Sequence, residues 1–375
     1  MELIATFGRI LPIVVVAFVA SALLSLVATP IVARVATRLG AVDLPDHRRV
    51  NAAPVPRGGG IAVAFAFLVV GGVAVVLNER LELLPDPRGL EASEFLAVVL
   101  GGVVATLLGM LDDFLQLRAR WQLLSQLALA MIPIYAGVTV TFLNNPVGSP
   151  AVIILDPAFQ VGFTVVWILG MINSINFIDG LDGLSSGIAL IAAATLGLIS
   201  FTNAASPLGQ PMVGVLCFVL AGALLGFLRW NFHPASIFIG TSGVMFVGYM
   251  LAILSILGTA KVAVALLVLG VPVIDTFWII VRRLATGRSP FTPDRGHIHH
   301  RLLDLGLSHA QTVLVIYGIC IVLAVMSIFL SGSGQVYAFL GLAVAFGVGV
   351  FLLTRGESAD ALEAESYEGT SGDEK

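Results

Sequence analysis

The chain reads as an all-α polytopic membrane protein of about eleven transmembrane helices, and three observations carry that reading. Of its 375 residues 58% are apolar and only 11% charged, whereas soluble domains carry about 25% charged residues. The mean hydropathy is +1.01. Apolar runs of ~20 residues, long enough to cross a bilayer, succeed one another along almost the whole chain.

The runs fall at residues 11–33, 59–78, 94–111, 122–143, 160–177, 184–203, 212–230, 238–257, 260–282, 311–331 and 335–354. The first is too long for a cleavable signal peptide and reads as a span. Between the fifth and sixth, and the eighth and ninth, only Gly, Asp or Lys261 separates neighbours. Pro272 inside the ninth predicts a kink or break, because its ring removes a backbone donor and crowds the preceding turn. In the stretch 144–158, Pro150 and Pro157 flank a Val-Ile-Ile-Leu run, which predicts a small strand or hairpin. Residues 1–355 therefore form one multi-helix domain. The last twenty, 356–375, hold seven Asp and Glu and read as a disordered acidic tail.

Cys217 and Cys320 lie within apolar runs and read as small hydrophobes. No basic patch suits nucleic acid. Fifteen of the nineteen Lys and Arg fall on one side of an eleven-span chain, among them Arg34, Arg38, Arg57, Arg118, Arg282 and Arg301. By the positive-inside rule that side is cytoplasmic, with the amino terminus outside and the acidic tail inside.

Five polar stretches fall on that side. Residues 42–60, VDLPDHRRVNAAPVPRGGG, place Arg48, Arg49 and Arg57 among prolines and glycines, a loop suited to binding an anion through forked donors or simply to marking topology. Asp112 and Asp113 end the third run. On a helix they point about 100° apart, so one can face a ligand directly. They suit a divalent cation or proton removal, or an ion pair with Arg118 or Arg120. Asn173, Asn176, Asp179 and Asp182 recur every three residues and predict a polar ladder along half a helix, costly in a membrane unless it has a function. Phe238 precedes Gly240, Ser242 and Gly243, where a ring face meets a backbone open to close approach by a ligand or a neighbouring helix. Last come Arg295, His297, His299 and His300. His297 and His300 would share a helical face. Zinc ordinarily recruits cysteine or acidic ligands as well, and no such spacing is present, so cations stabilising a polyphosphate fit better.

In order, these motifs are D-x-P-x-x-R-R with P-x-P-R-G-G-G, the paired aspartates, N-x-x-N-F-x-D-G-x-D-G-L, F-x-G and H-I-H-H. From Val42 to Ser308 the set resembles the polyprenyl-phosphate N-acetylhexosamine-1-phosphate transferases, and the H-I-H-H form looks like the branch using UDP-N-acetylglucosamine. The resemblance implies transfer of a sugar 1-phosphate from a UDP-sugar to undecaprenyl phosphate at the cytoplasmic face of a bacterial plasma membrane. UMP is released and a cell-envelope glycan begun. It implies magnesium, with manganese as the alternative, and leaves a homodimer open. Asp112 and Asp113 match the catalytic pair, with proton removal and covalent catalysis both open. Asn173, Asn176, Asp179 and Asp182 match the segment near nucleotide and metal, with Asp113 and Asp179 expected at the metal. Phe238 matches the ring that stacks on uracil, and Arg49, Arg57, Arg295, His297, His299 and His300 match the phosphate-binding loops.

Four positions depart from the pattern: Thr241 and Val244 stand where the family has Asp and Ser, Asn51 where it has His, and Gln122 where it has Lys. Thr241 matters most, since a hydroxyl is a weaker ligand than a carboxylate for a hard dication. The alternatives are a catalytically impaired homologue and a transporter of lipid or nucleotide sugar, whose broken helices and midplane polar residues would differ from this pattern.

Overall fold

The computed structural model describes residues 2–43, 54–84, 89–145, 147, 149–150, 152–202, 210–258, 261–285, 287, 297–330 and 332–348. In chain order these form α1 (Glu2–Leu39), β1 (Val42–Asp43), β2 (Val55–Pro56), α2 (Gly60–Leu81), α3 (Ala92–Leu115) and α4 (Ala119–Tyr135). There follow β3 (Phe142–Asn144), β4 (Val152–Ile154), α5 (Pro157–Ile178), α6 (Leu184–Thr202), α7 (Pro211–Asn231) and α8 (Gly240–Leu257). The chain continues through α9 (Lys261–Val268), α10 (Gly270–Ala285), α11 (Ile298–Asp304), α12 (His309–Phe329) and α13 (Ser333–Val348). Arg48, Arg49, Asn51, Arg295 and the acidic tail lie outside the described residues.

Each of the eleven expected runs contributes a helix or, in the ninth, a bent pair, but among the described residues eight helices are long and apolar enough to cross a membrane, or nine with α9 and α10 taken as one broken span. Helices α4 and α13 fall below that length among the described residues. The seventeen residues of α4 span only ~25 Å, short of a ~30 Å hydrocarbon core. Helix α4 stops because Gly137 turns left-handed at φ 79° and the β-branched Val138–Thr141 favours extended chain. That chain enters β3, which pairs antiparallel with β4, so the hairpin expected from the prolines is present.

The ninth run breaks between Val268 and Gly270 with a 79° bend. Pro272 explains the location: its ring crowds the carbonyl four residues back, that of Val268, and offers no N–H to it.

Helices α7 and α8 are buried around nearly their whole circumference, whereas α1 turns Leu11, Val16, Leu23 and Val27 outward. Gly222 and Gly226 of α7 abut the backbone of α1: an added Cβ would lie 2.3 Å from the Phe18 carbonyl oxygen and 2.0 Å from that of Ala22. Small residues four apart permit this approach, which dispersion and polar contacts hold together in lipid. The Ser21 hydroxyl donates to the Val219 carbonyl at 2.8 Å and the Trp230 indole N–H to the Leu26 carbonyl at 3.0 Å.

Replacing Gly226 by Leu forces α1 and α7 apart. The expected cost is about 1–3 kcal/mol, measured as a lower melting temperature in detergent.

Candidate active site

The ends of β1, α3, α5, α7 and α8 meet α11 at one cleft of about 350 Å³, lined among others by Asp43, Arg57, Asp113, Asn176, Asp179, Asp182, Asn231, Phe238, Thr241 and His300. Its floor is the amino end of α8. The first free N–H groups of a helix need acceptors, and Asp113 at the end of α3 supplies them: Oδ1 accepts from Thr241 N at 2.7 Å and Oδ2 from Ser242 N at 3.0 Å. Gly240 enters the helix at φ 71°, a conformation open to glycine, and a Cβ there would lie 2.8 Å from Asp113 Oδ2. The strand-like segment before α2 runs alongside, with Gly59 N donating to Phe238 O at 2.9 Å and Gly60 N to Ile239 O at 2.8 Å. Gly60 and Gly243 sit so close that a Cβ on Gly60 would fall 1.9 Å from Gly243 Cα. Antiparallel pairing of β1 with β2 holds Arg57 over the cleft, ion-paired to Asp43.

Asp112 turns elsewhere. Its Oδ1 accepts from Leu117 N and from the Gln122 amide, each at 2.9 Å, and so closes the turn between α3 and α4. Of the adjacent acids one faces the cleft, as the 100° separation requires.

The ladder does not continue as a helix. Helix α5 ends at Ile178, with Asp179 as its C-cap at φ −75° and ψ 46°, and Gly183 turns left-handed at φ 80°. Two glycines in five residues unwind the helix before Asp182 can stack on it. Asn173 instead donates to Gln126 Oε1 at 2.7 Å and to Leu169 O at 2.8 Å. Asn176 borders both the cleft and a second, apolar groove of about 630 Å³ between α4, α5 and α10.

The loop after α5 is clamped on three sides. Asp179 Oδ1 accepts from the Ser185 hydroxyl at 2.5 Å. Asp182 Oδ2 accepts from Ala235 N at 3.1 Å and meets His233 Nδ1 at 2.8 Å, while the Asp182 N–H donates to His309 Nε2 at 2.8 Å. The His233 and His309 rings stack at 4.1 Å. Asp182, His233 and His309 offer ligand atoms within 4.8 Å of one another, but these bonds already engage the atoms with each other, so the cluster reads as a clamp. Burial, and then the Asp113 and Asp182 charges, push the Asp179 carboxyl up to about 6, against the opposing Ser185 bond and Arg57.

His297 is the N-cap of α11 rather than part of it, so it does not share a helical face with His300. Its ring stacks on His299 at 5.5 Å, and His299 tilts against His300 at 4.4 Å. His299 presses on the loop, where a Cβ on Gly180 would lie 2.2 Å from its Nε2. Burial, then His300, His297 and His309, push it down to about 3, so it is neutral at physiological pH. Sequence reasoning missed Asp275, His233, His309 and Asn231. Asp275 is 2% exposed on α10 and accepts from His297 Nδ1 at 2.7 Å and from Ile298 N at 3.0 Å. An acid does therefore accompany the histidines, delivered by the fold rather than by spacing. A lone Asp within an apolar run was its available signal.

A family model described as glycosyl transferase family 4 matches residues 95–259, from α3 to just past α8. A probable undecaprenyl-phosphate N-acetylglucosaminyl 1-phosphate transferase of Bacillus subtilis (strain 168) is 36% identical over 331 residues, 85% of this chain and 86% of the relative. The chain belongs to glycosyl transferase family 4. This is the superfamily of polyprenyl-phosphate N-acetylhexosamine-1-phosphate transferases, as the motif resemblance implied. A second relative, the decaprenyl-phosphate N-acetylglucosaminephosphotransferase of Mycobacterium tuberculosis (strain ATCC 25618 / H37Rv), is 36% identical over 363 residues, 90% of this chain and 88% of its own. The undecaprenyl-phosphate alpha-N-acetylglucosaminyl 1-phosphate transferase of Escherichia coli O157:H7 is 26% identical over 295 residues, 76% and 74% of the two chains. Asp113, Asp179, Asp182, His233, Phe238 and Thr241 fall within the segment matched to family 4, while Arg57, His297, His299, His300 and His309 flank it.

Because the folded chain holds the Asp179 proton above its unfolded value of 3.8, this group's stabilising share is complete at low pH and is lost as pH rises toward 6. The loss is worth about 3 kcal/mol. In metal-free buffer Asp179→Asn is therefore expected to melt close to the unsubstituted protein near pH 4 and several degrees above it near pH 7, a difference that calorimetry in detergent would read directly.

Proposed function

We propose that the protein transfers a sugar 1-phosphate, N-acetylglucosamine 1-phosphate, from a UDP-sugar to undecaprenyl phosphate at the cytoplasmic face of a bacterial plasma membrane. The observation that carries this is the junction at Asn176, where a polar cleft with four carboxylates, Arg57 and His300 meets an apolar groove. The donor is wholly polar and the acceptor mostly hydrocarbon. One site must therefore present both surfaces side by side. The orientation rests on the Arg-rich ends, since Arg57, Arg118, Arg229 and Arg301 accompany the cleft.

An oxygen of the acceptor phosphate ends bonded to the sugar-bearing phosphorus, and the bridging oxygen leaves on UMP. Both partners are anions, so positioning and charge neutralisation are the main tasks. Arg57 and His300 face the phosphates. Phe238, beside Asn231 in the cleft wall, offers its ring to the uracil. Asp113 and Asp179 suit a hard dication, because the repulsion and burial that raise Asp179 are relieved by positive charge between the two acids. When bound, magnesium would neutralise charge on the diphosphate. Thr241 lines this place with a hydroxyl where the resembled family pattern has Asp, which leaves Asp113 and the acids of the α5–α6 loop as the ligands.

Incubation of purified protein with labelled UDP-N-acetylglucosamine, undecaprenyl phosphate and magnesium is expected to move label into butanol, and label left wholly in water defeats the reading. Asp179→Ala should lower the rate about 10²- to 10³-fold. Thr241→Asp should reduce the magnesium concentration for half-maximal rate roughly tenfold, since a carboxylate replaces a weak neutral donor.

A further inference from the structure

Helix α10 has two working faces. Val273, Thr276, Phe277 and Ile280 border the apolar groove, and Phe277 is 68% exposed. Asp275, between them in sequence, points into the protein at 2% exposure and holds the start of α11 through His297 Nδ1 and Ile298 N. A carboxylate only accepts, so the proton sits on Nδ1 and the ring orientation is fixed. From His297 the ring contacts, stacked onto His299 and then tilted onto His300, lead to the cleft. Phe177, which also borders the groove, lies 5.9 Å from the His297 ring. The 79° break before α10 frees this segment from the direction of α9, so its placement depends on what packs against it.

We propose that Asp275 is a positioning residue that couples filling of the groove by the acceptor's hydrocarbon tail to the setting of the histidines in the cleft. The inference rests on the reading that the groove receives that tail. A bound tail packs on the groove side of α10 and fixes the helix, and Asp275 transmits the placement to His297 through two hydrogen bonds. Binding energy from a remote, unreacting part of a substrate then appears in the rate of the reacting centre. The enzyme discriminates acceptors by chain length in kcat as well as in KM.

The test compares kcat at saturation for undecaprenyl phosphate and farnesyl phosphate, whose tail is too short to fill the groove. The unsubstituted protein is expected to turn over the long acceptor about 10- to 100-fold faster. In Asp275→Asn, which keeps the side-chain shape but cannot accept at both oxygens, that ratio should fall toward one with the KM for the UDP-sugar little changed. Phe277→Ala, which trims an exposed groove residue and leaves the buried network intact, should lower the same ratio, so the inference stands testable even if the Asp275 variant does not fold. Equal losses for both acceptors in Asp275→Asn, or an unchanged ratio in the Phe277 variant, overturn it, as does a ratio near one before substitution. If the unsubstituted protein uses neither acceptor, the transferase reading itself fails and takes the inference with it.

Discussion

The amino end of α8 begins inside the protein, with backbone N–H groups that have no partner within the helix and that a hydrocarbon surrounding cannot satisfy. Each would cost about 1–3 kcal/mol if left unmet. The acceptor comes from another span, since both Asp113 oxygens are given to Thr241 and Ser242. For α3 to deliver a carboxylate there, the two helices must nearly touch. Gly109 makes this feasible, because a Cβ on it would fall 2.4 Å from Ser242 Cα. The contact fixes α8 against α3 and brings the acid, the neighbouring Arg57 loop and Phe238 to one place. The residue that fixes this junction also lines the cleft, so its removal perturbs both the helix contact and the cleft wall.

Asp275 repeats the device at α11. In both cases an acid on a long helix closes the start of another and gains, in exchange for desolvation, two charge-assisted hydrogen bonds. Asp182 does the same between loops. Three aspartates thus work partly as joints, and the acid count overstates the number of carboxylates available to a ligand. Asp179, tied only to the Ser185 hydroxyl among the described contacts, carries most of the unrelieved electrostatic tension.

Composition and apolar run length made the helical membrane fold legible, because a bilayer imposes both. Motif order made the site's membership legible for Arg57, Asp113, Asp179, Phe238 and His300, all of which reach one cleft. Periodicity failed where glycine overrode it, at Asp182, and where a cap replaced a helical turn, at His297. Asp275, His233 and His309 were invisible for another reason. Their roles arise from long-range pairing between α10 and α11, or between the α7–α8 loop and α12, and no local spacing encodes such a partnership. The fourth run gives a shorter helix than its hydropathy suggests, because hydropathy does not register where β-branched residues after Gly137 turn helix into strand.

The tension at Asp179 reaches beyond turnover. A cation that seats between the acids binds the folded chain alone, and each tenfold excess over its dissociation constant adds about 1.4 kcal/mol to the folded state. Relief of that repulsion is then also protection against unfolding and proteolysis. On the proposed reading, the supply of the dication would then set how much of the protein a membrane retains, as well as how fast each copy works.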